Sequence, residues 1–394
     1  MTPRERRLLL SVLGALTFAS VYAHVVMSPV LTQLADEFGI STGTAGLVVA
    51  AYGAPGILVA ILVGPFSDRI GRKRFLVAGA LVTGLFTLLA TLATSFAALL
   101  VLRAIAGIGA AVIFPNASAT VGDNFPYRER GRAMSTVIAF STMASVIGIP
   151  AAGLIAEATS WRVSVGVSGA LSVAAGVLLI FLLRPTTVSA SESRFFELYR
   201  SILRNSSAVA AIVSSFLGSL FWFAWATYVV VFFESVYGLS RGTASTYALT
   251  LGLGVLVGSQ VGGRLGDRIG HKPVVAISII ISSLLLLVLT TVAMPIALAT
   301  GLSLLVAAVI GARFATNQTL MTEQMPNARG TLLALSAATI SFAVVMAASI
   351  GGLLIDAFGF PAVGLLCLVA GLGSALVVML FVREEPIDLE IAPA

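Results

Sequence analysis

Apolar runs about as long as a bilayer is thick recur twelve times in this sequence. They lie at roughly 8–30, 44–66, 75–94, 97–119, 133–156, 164–183, 208–232, 243–263, 274–293, 296–319, 332–355 and 361–382. A helix crosses the hydrocarbon with about 20 apolar residues. No run alternates polar and apolar residues as a barrel strand would, so the expected spans are helices. A soluble domain carries roughly 25% charged residues. This chain carries 10%, with a mean hydropathy of +1.04, and a soluble fold is excluded. The basic N-terminus runs straight into the first apolar run, which reads as a retained span rather than a cleaved signal. The single cysteine, Cys367, rules out an intrachain disulfide.

The net charge of +6 does not point to nucleic acid, because the basic residues sit in short connections between spans. With the N-terminus in the cytoplasm, 19 of the 23 Lys and Arg fall in cytoplasmic segments. Arg162 and Arg241 fall outside, and Arg103 and Arg313 fall within spans. That asymmetry is the positive-inside rule, and it places both termini in the cytoplasm. Five carboxylates are expected on the outer side: Asp36, Glu37, Glu157, Glu234 and Asp356.

The chain also repeats itself. Asp68-Arg69-Ile70-Gly71 returns as Asp267-Arg268-Ile269-Gly270, an offset of 267 − 68 = 199 residues. Pro126 and Arg130-Gly131 have counterparts near Pro326 and Arg329-Gly330. Two tandem units follow: a six-helix bundle over 1–183, a cytoplasmic linker over 184–207, a second bundle over 208–383 and a tail over 384–394. In the linker, Phe195, Phe196, Tyr199, Ile202 and Leu203 recur at helical spacing, which fits either a helix on the membrane interface or a solvated one.

The turn between spans two and three reads Gly64-Pro-Phe-Ser-Asp68-Arg69-Ile-Gly71-Arg72-Lys73. On a twelve-span background it resembles the signature loop of the major facilitator superfamily, of the drug/proton antiporter type. The resemblance covers essentially the whole chain. It implies an all-α membrane fold of two six-helix bundles around a central cavity, working by alternating access. It also implies a cytoplasmic gate built from Gly64, Asp68, Arg69, Gly71 and Arg72, with Asp123 as acidic partner and Asp267 and Arg268 as the second copy. The glycines permit a tight turn and close helix approach.

Arg103 in span four, followed by Gly107 and Gly109, is similar to the family's span-four motif, whose arginine is implicated in proton coupling. Span five carries Gly148-Ile149-Pro150-Ala151-Ala152-Gly153. Pro150 and Gly153 fit the antiporter motif and predict a helix kink, while Ile149 and Leu154 stand where that motif has glycines.

No carboxylate falls in the middle of a span. His24, in span one, is the remaining group able to exchange a proton near neutrality, or else it is a hydrogen-bonded structural histidine. Arg103 and Arg313 are charges at membrane depth and are expected in the cavity. They would favour an electronegative substrate, with Asn116, Gln260 and Asn317 adding hydrogen bonds. Trp222 and Trp225 can share a face of span seven, either stacking on flat substrates or packing. The expected activity is export of small amphipathic or drug-like compounds in exchange for protons, or alternatively carriage of organic anions or lipid-like amphiphiles. An enzyme, a metal site, a cofactor and a nucleic-acid partner are not expected. The chain is expected to work as a monomer in a bacterial plasma membrane.

Overall fold

A computed structural model describes residues 3–182, 195–325 and 328–384. It is helical throughout, with no strand among the described residues. The twelve spans are Glu5–Phe38, Thr42–Leu62, Arg72–Ala90, Phe96–Asn124, Glu129–Ala158, Trp161–Leu182, Ser206–Tyr237, Arg241–Ile269, His271–Thr291, Ile296–Gln324, Gly330–Phe358 and Phe360–Phe381. Several are about 30 residues long. The expected runs 8–30, 97–119, 133–156 and 332–355 fell short because these helices continue past the apolar run, while 75–94 ran past the end of its helix at Ala90.

Helix packing follows the repeat. Span three packs on four and six, span one on five and six, and span two on four. Six spans later, nine packs on ten and twelve, seven on eleven and twelve, and eight on ten. The halves then meet along two seams, span two with span eleven and span five with span eight. Small residues set these distances, as expected where lipid supplies no hydrophobic drive between helices. A Cβ on Gly252 of span eight would come within 2.8 Å of Val146 Cα of span five.

The breaks in the helices lie outside the span-five segment expected to bend. Helix Tyr127–Ala158 runs continuously through Pro150. Gly153 instead provides close approach, since a Cβ there would overlap the Ser245 hydroxyl of span eight. Span one is interrupted where a 3₁₀ turn, Ser28–Val30, carries Pro29. Span two breaks at Gly46 and again at Ala54 and Pro55, and span eight breaks at Ala248. The linker forms helix Phe195–Arg204, in which Ile202 is fully buried and Leu203 is 66% exposed. Leu203 and Phe381 share an outer groove with Arg204. The side chains of Phe195 and Phe196, and residues 183–194, lie outside the described residues.

Candidate functional site

A cavity of about 470 Å³ lies between the halves. Its N-terminal wall carries Ser20, His24, Ser28, Tyr52, Ser141, Thr142 and Ser145, interleaved with Val21, Val25, Val49 and Ile149. Its C-terminal wall carries Trp222, Phe223, Ala226, Leu251, Val255 and Phe314, with Thr227 the polar exception. The offset of 199 pairs these walls: His24 with Phe223 (24 + 199 = 223), Tyr52 with Leu251 (52 + 199 = 251), Ser28 with Thr227 (28 + 199 = 227). The cavity therefore sits on the axis relating the two units. At the two unlike positions the first unit places a polar group where the second places an apolar one.

His24 is the titratable group at this wall. Its ring lies 5.4 Å from that of Tyr52 and 6.1 Å, edge-on, from that of Phe223. Neither ring nitrogen makes a hydrogen bond among the described residues, and the side chain borders the cavity. Tyr52, which the sequence reading missed, donates its hydroxyl to the Ser20 carbonyl at 3.3 Å. Trp222 is held edge-on against Phe314 at 5.6 Å.

Neither arginine expected in the cavity lines it. Arg103 is fully buried behind Tyr52, its guanidinium 4.1 Å over that ring and bonded to the Ala23 carbonyl at 3.0 Å. Gly107 explains the spaced glycine, because a Cβ there would lie 2.9 Å from the Tyr52 carbonyl carbon. The span-four motif thus clasps Tyr52 from both side chain and backbone. Arg313 is buried between spans seven, ten and twelve, donating to the Ser214 carbonyl at 2.8 Å and Ser374 Oγ at 3.3 Å. Its neighbour Phe314 faces the cavity, so the expectation missed by one residue of helix phase. Trp225 is also fully buried, packed edge-on against Phe232 at 5.2 Å.

The amides are elsewhere too. Asn116 is buried and donates to the Val112 carbonyl of its own helix at 2.7 Å. Asn317 donates to Ser215 Oγ at 2.9 Å, and Gln260 is exposed outside the cavity lining.

At the end carrying the termini, the duplicated turn has the expected geometry. Gly71 and Gly270 adopt φ of +101° and +96°, values that favour glycine. Arg72 forms an ion pair with Asp123, both within the first bundle, so this pair does not itself bridge the halves. The second unit has His271 Nε2 3.6 Å from Glu323 Oε1 (72 + 199 = 271). Gly64 lies in helix Gly56–Ile70, but the side chains of Asp68 and Arg69 are outside the described residues. Asp267 and Arg268 are exposed.

The profile of the Major Facilitator Superfamily matches residues 11–259 and 238–393. The chain belongs to that superfamily. Among curated relatives it is 30% identical over 181 residues to a probable sulfoacetate transporter, SauU, of Cupriavidus necator, covering 46% of this chain and 42% of that one. It is 30% identical over 145 residues to the chloramphenicol resistance protein CraA of Acinetobacter baumannii, covering 37% and 35%. The chain thus spans under half the length of these relatives. In fold it is similar to a bacterial homologue of the human lysosomal transporter Spinster, solved inward-facing and unoccupied. The TM-score there is 0.73 at 15% identity, covering 96% and 95% of the two chains. This superfamily member has, among its described residues, twelve helices long and apolar enough to cross a membrane.

Proposed function

We propose that this chain exports small amphipathic, uncharged or anionic compounds by alternating access, in exchange for protons carried at His24. One observation carries the reading: a two-faced cavity whose polar groups lie almost all on the first unit, set among Val21, Val25, Val49 and Ile149, and whose second wall is aromatic and aliphatic, with no carboxylate among its lining residues. A flat amphipathic solute would lay its apolar face on Trp222, Phe223 and Phe314. Its hydrogen-bonding groups would then turn to His24, Tyr52 and the serines. A cationic drug would find no counter-ion there, and leaving a buried charge unpaired costs several kcal/mol, about what a drug-sized binding site supplies. The basic residues gathered at the end carrying the termini support a cytoplasmic placement of that end, and the bacterial relatives fit a plasma membrane.

A second reading, carriage of organic anions, is supported by Arg103, a buried cation directly behind the Tyr52 wall. Proteoliposomes holding a pH dye separate the two. Chloramphenicol should drive proton movement that is lost in His24→Ala. Sulfoacetate uptake that ignores the pH gradient would instead make this an anion carrier and remove His24 from coupling.

A further inference from the structure

At the end of the molecule opposite the termini, two carboxylates occupy equivalent positions in the two units. Asp356, at the end of span eleven, accepts from Ser41 Oγ at 2.5 Å and from the backbone N–H of Gly43 at 3.0 Å. Glu157, at the end of span five, accepts from Ser240 Oγ at 3.2 Å and from the backbone N–H of Gly242. The offsets agree throughout: 356 − 157, 240 − 41 and 242 − 43 each equal 199. Both bonds cross between the halves, one on each seam. In each, a serine and the glycine two residues on grip one carboxylate from the other half.

The glycines are part of the device. A Cβ on Gly43 would overlap the Gly352 carbonyl as well as the Asp356 carboxylate, and one on Gly242 would overlap the carboxylate of Glu157. Each serine also caps the following turn, Ser41 accepting from Thr44 N–H and Ser240 from Thr243 N–H, which aims the grip. Other carboxylates of this surface pair differently: Glu37 with Arg162 at 2.5 Å inside the first half, and Glu234 with Arg241 at 3.5 Å inside the second and with the Thr32 hydroxyl across the halves, at a position with no acidic counterpart in the first unit. Among the described residues, Glu157 and Asp356 alone combine a symmetric position with a charge-assisted bond across a seam.

We infer that Glu157 and Asp356 form a paired latch that keeps this end of the transporter shut, and that both grips must release for the cavity to open on that side. The latch is a gating element, separate from the cavity and independent of the substrate carried. Its loss should shift the balance of conformations rather than unfold the chain, because the halves stay joined by other bonds. Among these are Ser28 Oγ to the Thr227 carbonyl at 2.9 Å and Arg241 to Thr32 Oγ1 at 3.0 Å.

The test places one reporter cysteine in the cavity, Ser145→Cys, in a Cys367→Ala background. A membrane-impermeant maleimide is applied separately to each side of sealed vesicles. The readout is the ratio of labelling rates, far side over termini side. Asp356→Asn or Glu157→Gln should each raise it about fivefold. The double variant should raise it about 25-fold, because the two grips share no side chain and their free energies add. Gly43→Ala with Gly242→Ala should reproduce the double effect without touching a carboxylate. An unchanged ratio in both double variants would overturn the latch. So would labelling that rises from both sides together, which signals loosening instead of a switch.

Discussion

Replacing Arg103 by methionine sets two opposing terms against each other, and their sizes can be worked from its contacts. The guanidinium sits 4.1 Å over Tyr52, a cation–π contact of about 0.5–2 kcal/mol. Its one hydrogen bond, to Ala23 at 3.0 Å, contributes about 1.5–3 kcal/mol. Against these roughly 2–5 kcal/mol stands the desolvation of a fully buried cation, also several kcal/mol. That cost is aggravated because Nε and Nη2 are buried without a hydrogen-bond partner among the described residues. Methionine keeps the apolar stem and fills much of the volume. The expected change in stability is therefore within about 1.5 kcal/mol of zero, and Arg103→Lys, which keeps the charge but loses the planar fork, should be the worse of the two. Unfolding by denaturing detergent in mixed micelles, followed by fluorescence of the three tryptophans, measures both. A loss of about 3–5 kcal/mol in the methionine variant is what breaking a buried ion pair costs. It would refute the reasoning, as would lysine outranking methionine. Transport by the methionine variant should fall nonetheless, since Tyr52 loses the group that holds it beside His24.

Three further outcomes follow from the packing. Gly258→Ala should cost about 1–3 kcal/mol in the same assay, because its Cβ would meet the Ala308 backbone, 2.8 Å from Cα, and neither helix can yield without the other. Trp222→Ala should weaken binding of an amphipathic substrate about tenfold with little loss of stability, measured by ligand-induced quenching. Trp225→Ala should do the reverse and cost about 3–5 kcal/mol. Asp123→Asn should change stability by less than about 1 kcal/mol, as its carboxyl is 44% exposed.

Spans, halves and turns were legible in the sequence because each depends on local composition. A run of apolar residues needs no partner to declare itself, and the positive φ of Gly71 and Gly270 follows from an Asp-Arg-Ile-Gly turn read twice. The cavity was less legible because it depends on helix phase. A charge at membrane depth has two ways to be tolerated, facing a water-filled cavity or burying against carbonyls and a ring, and composition does not separate them. Arg103 and Arg313 took the second way, while Phe314, one residue from Arg313, took the first. Trp222 and Trp225 are three residues apart, near enough to share a face in principle, yet one lines the cavity and the other is core. Tyr52 left a usable signal, a phenol amid small residues in a span. Applying the offset of 199 to His24 would have found Phe223 directly.

The repeat also explains why the two ends and the middle of the molecule differ in character. A duplicated unit starts with two copies of every group, and each pair is free to stay alike or diverge. At the closed end the carboxylates at 157 and 356 remain acidic, with serine and glycine opposite each, because a seam that must open evenly needs comparable grips on both sides. At the termini the pair Arg72–Asp123 is matched by His271–Glu323, whose acid stands one residue off the offset (123 + 199 = 322), both internal to their bundles, so nothing ties their strengths together. In the cavity divergence is the useful outcome. Two identical histidines facing one another would make a symmetric, polar pocket, whereas histidine facing phenylalanine makes one with a wet wall and an oily wall. Phe223→His would restore that lost symmetry. It should lower affinity for amphipathic substrates several-fold while leaving the fold intact, since both rings border open space. Unchanged affinity in that variant would show that the difference between the two walls does not select the substrate.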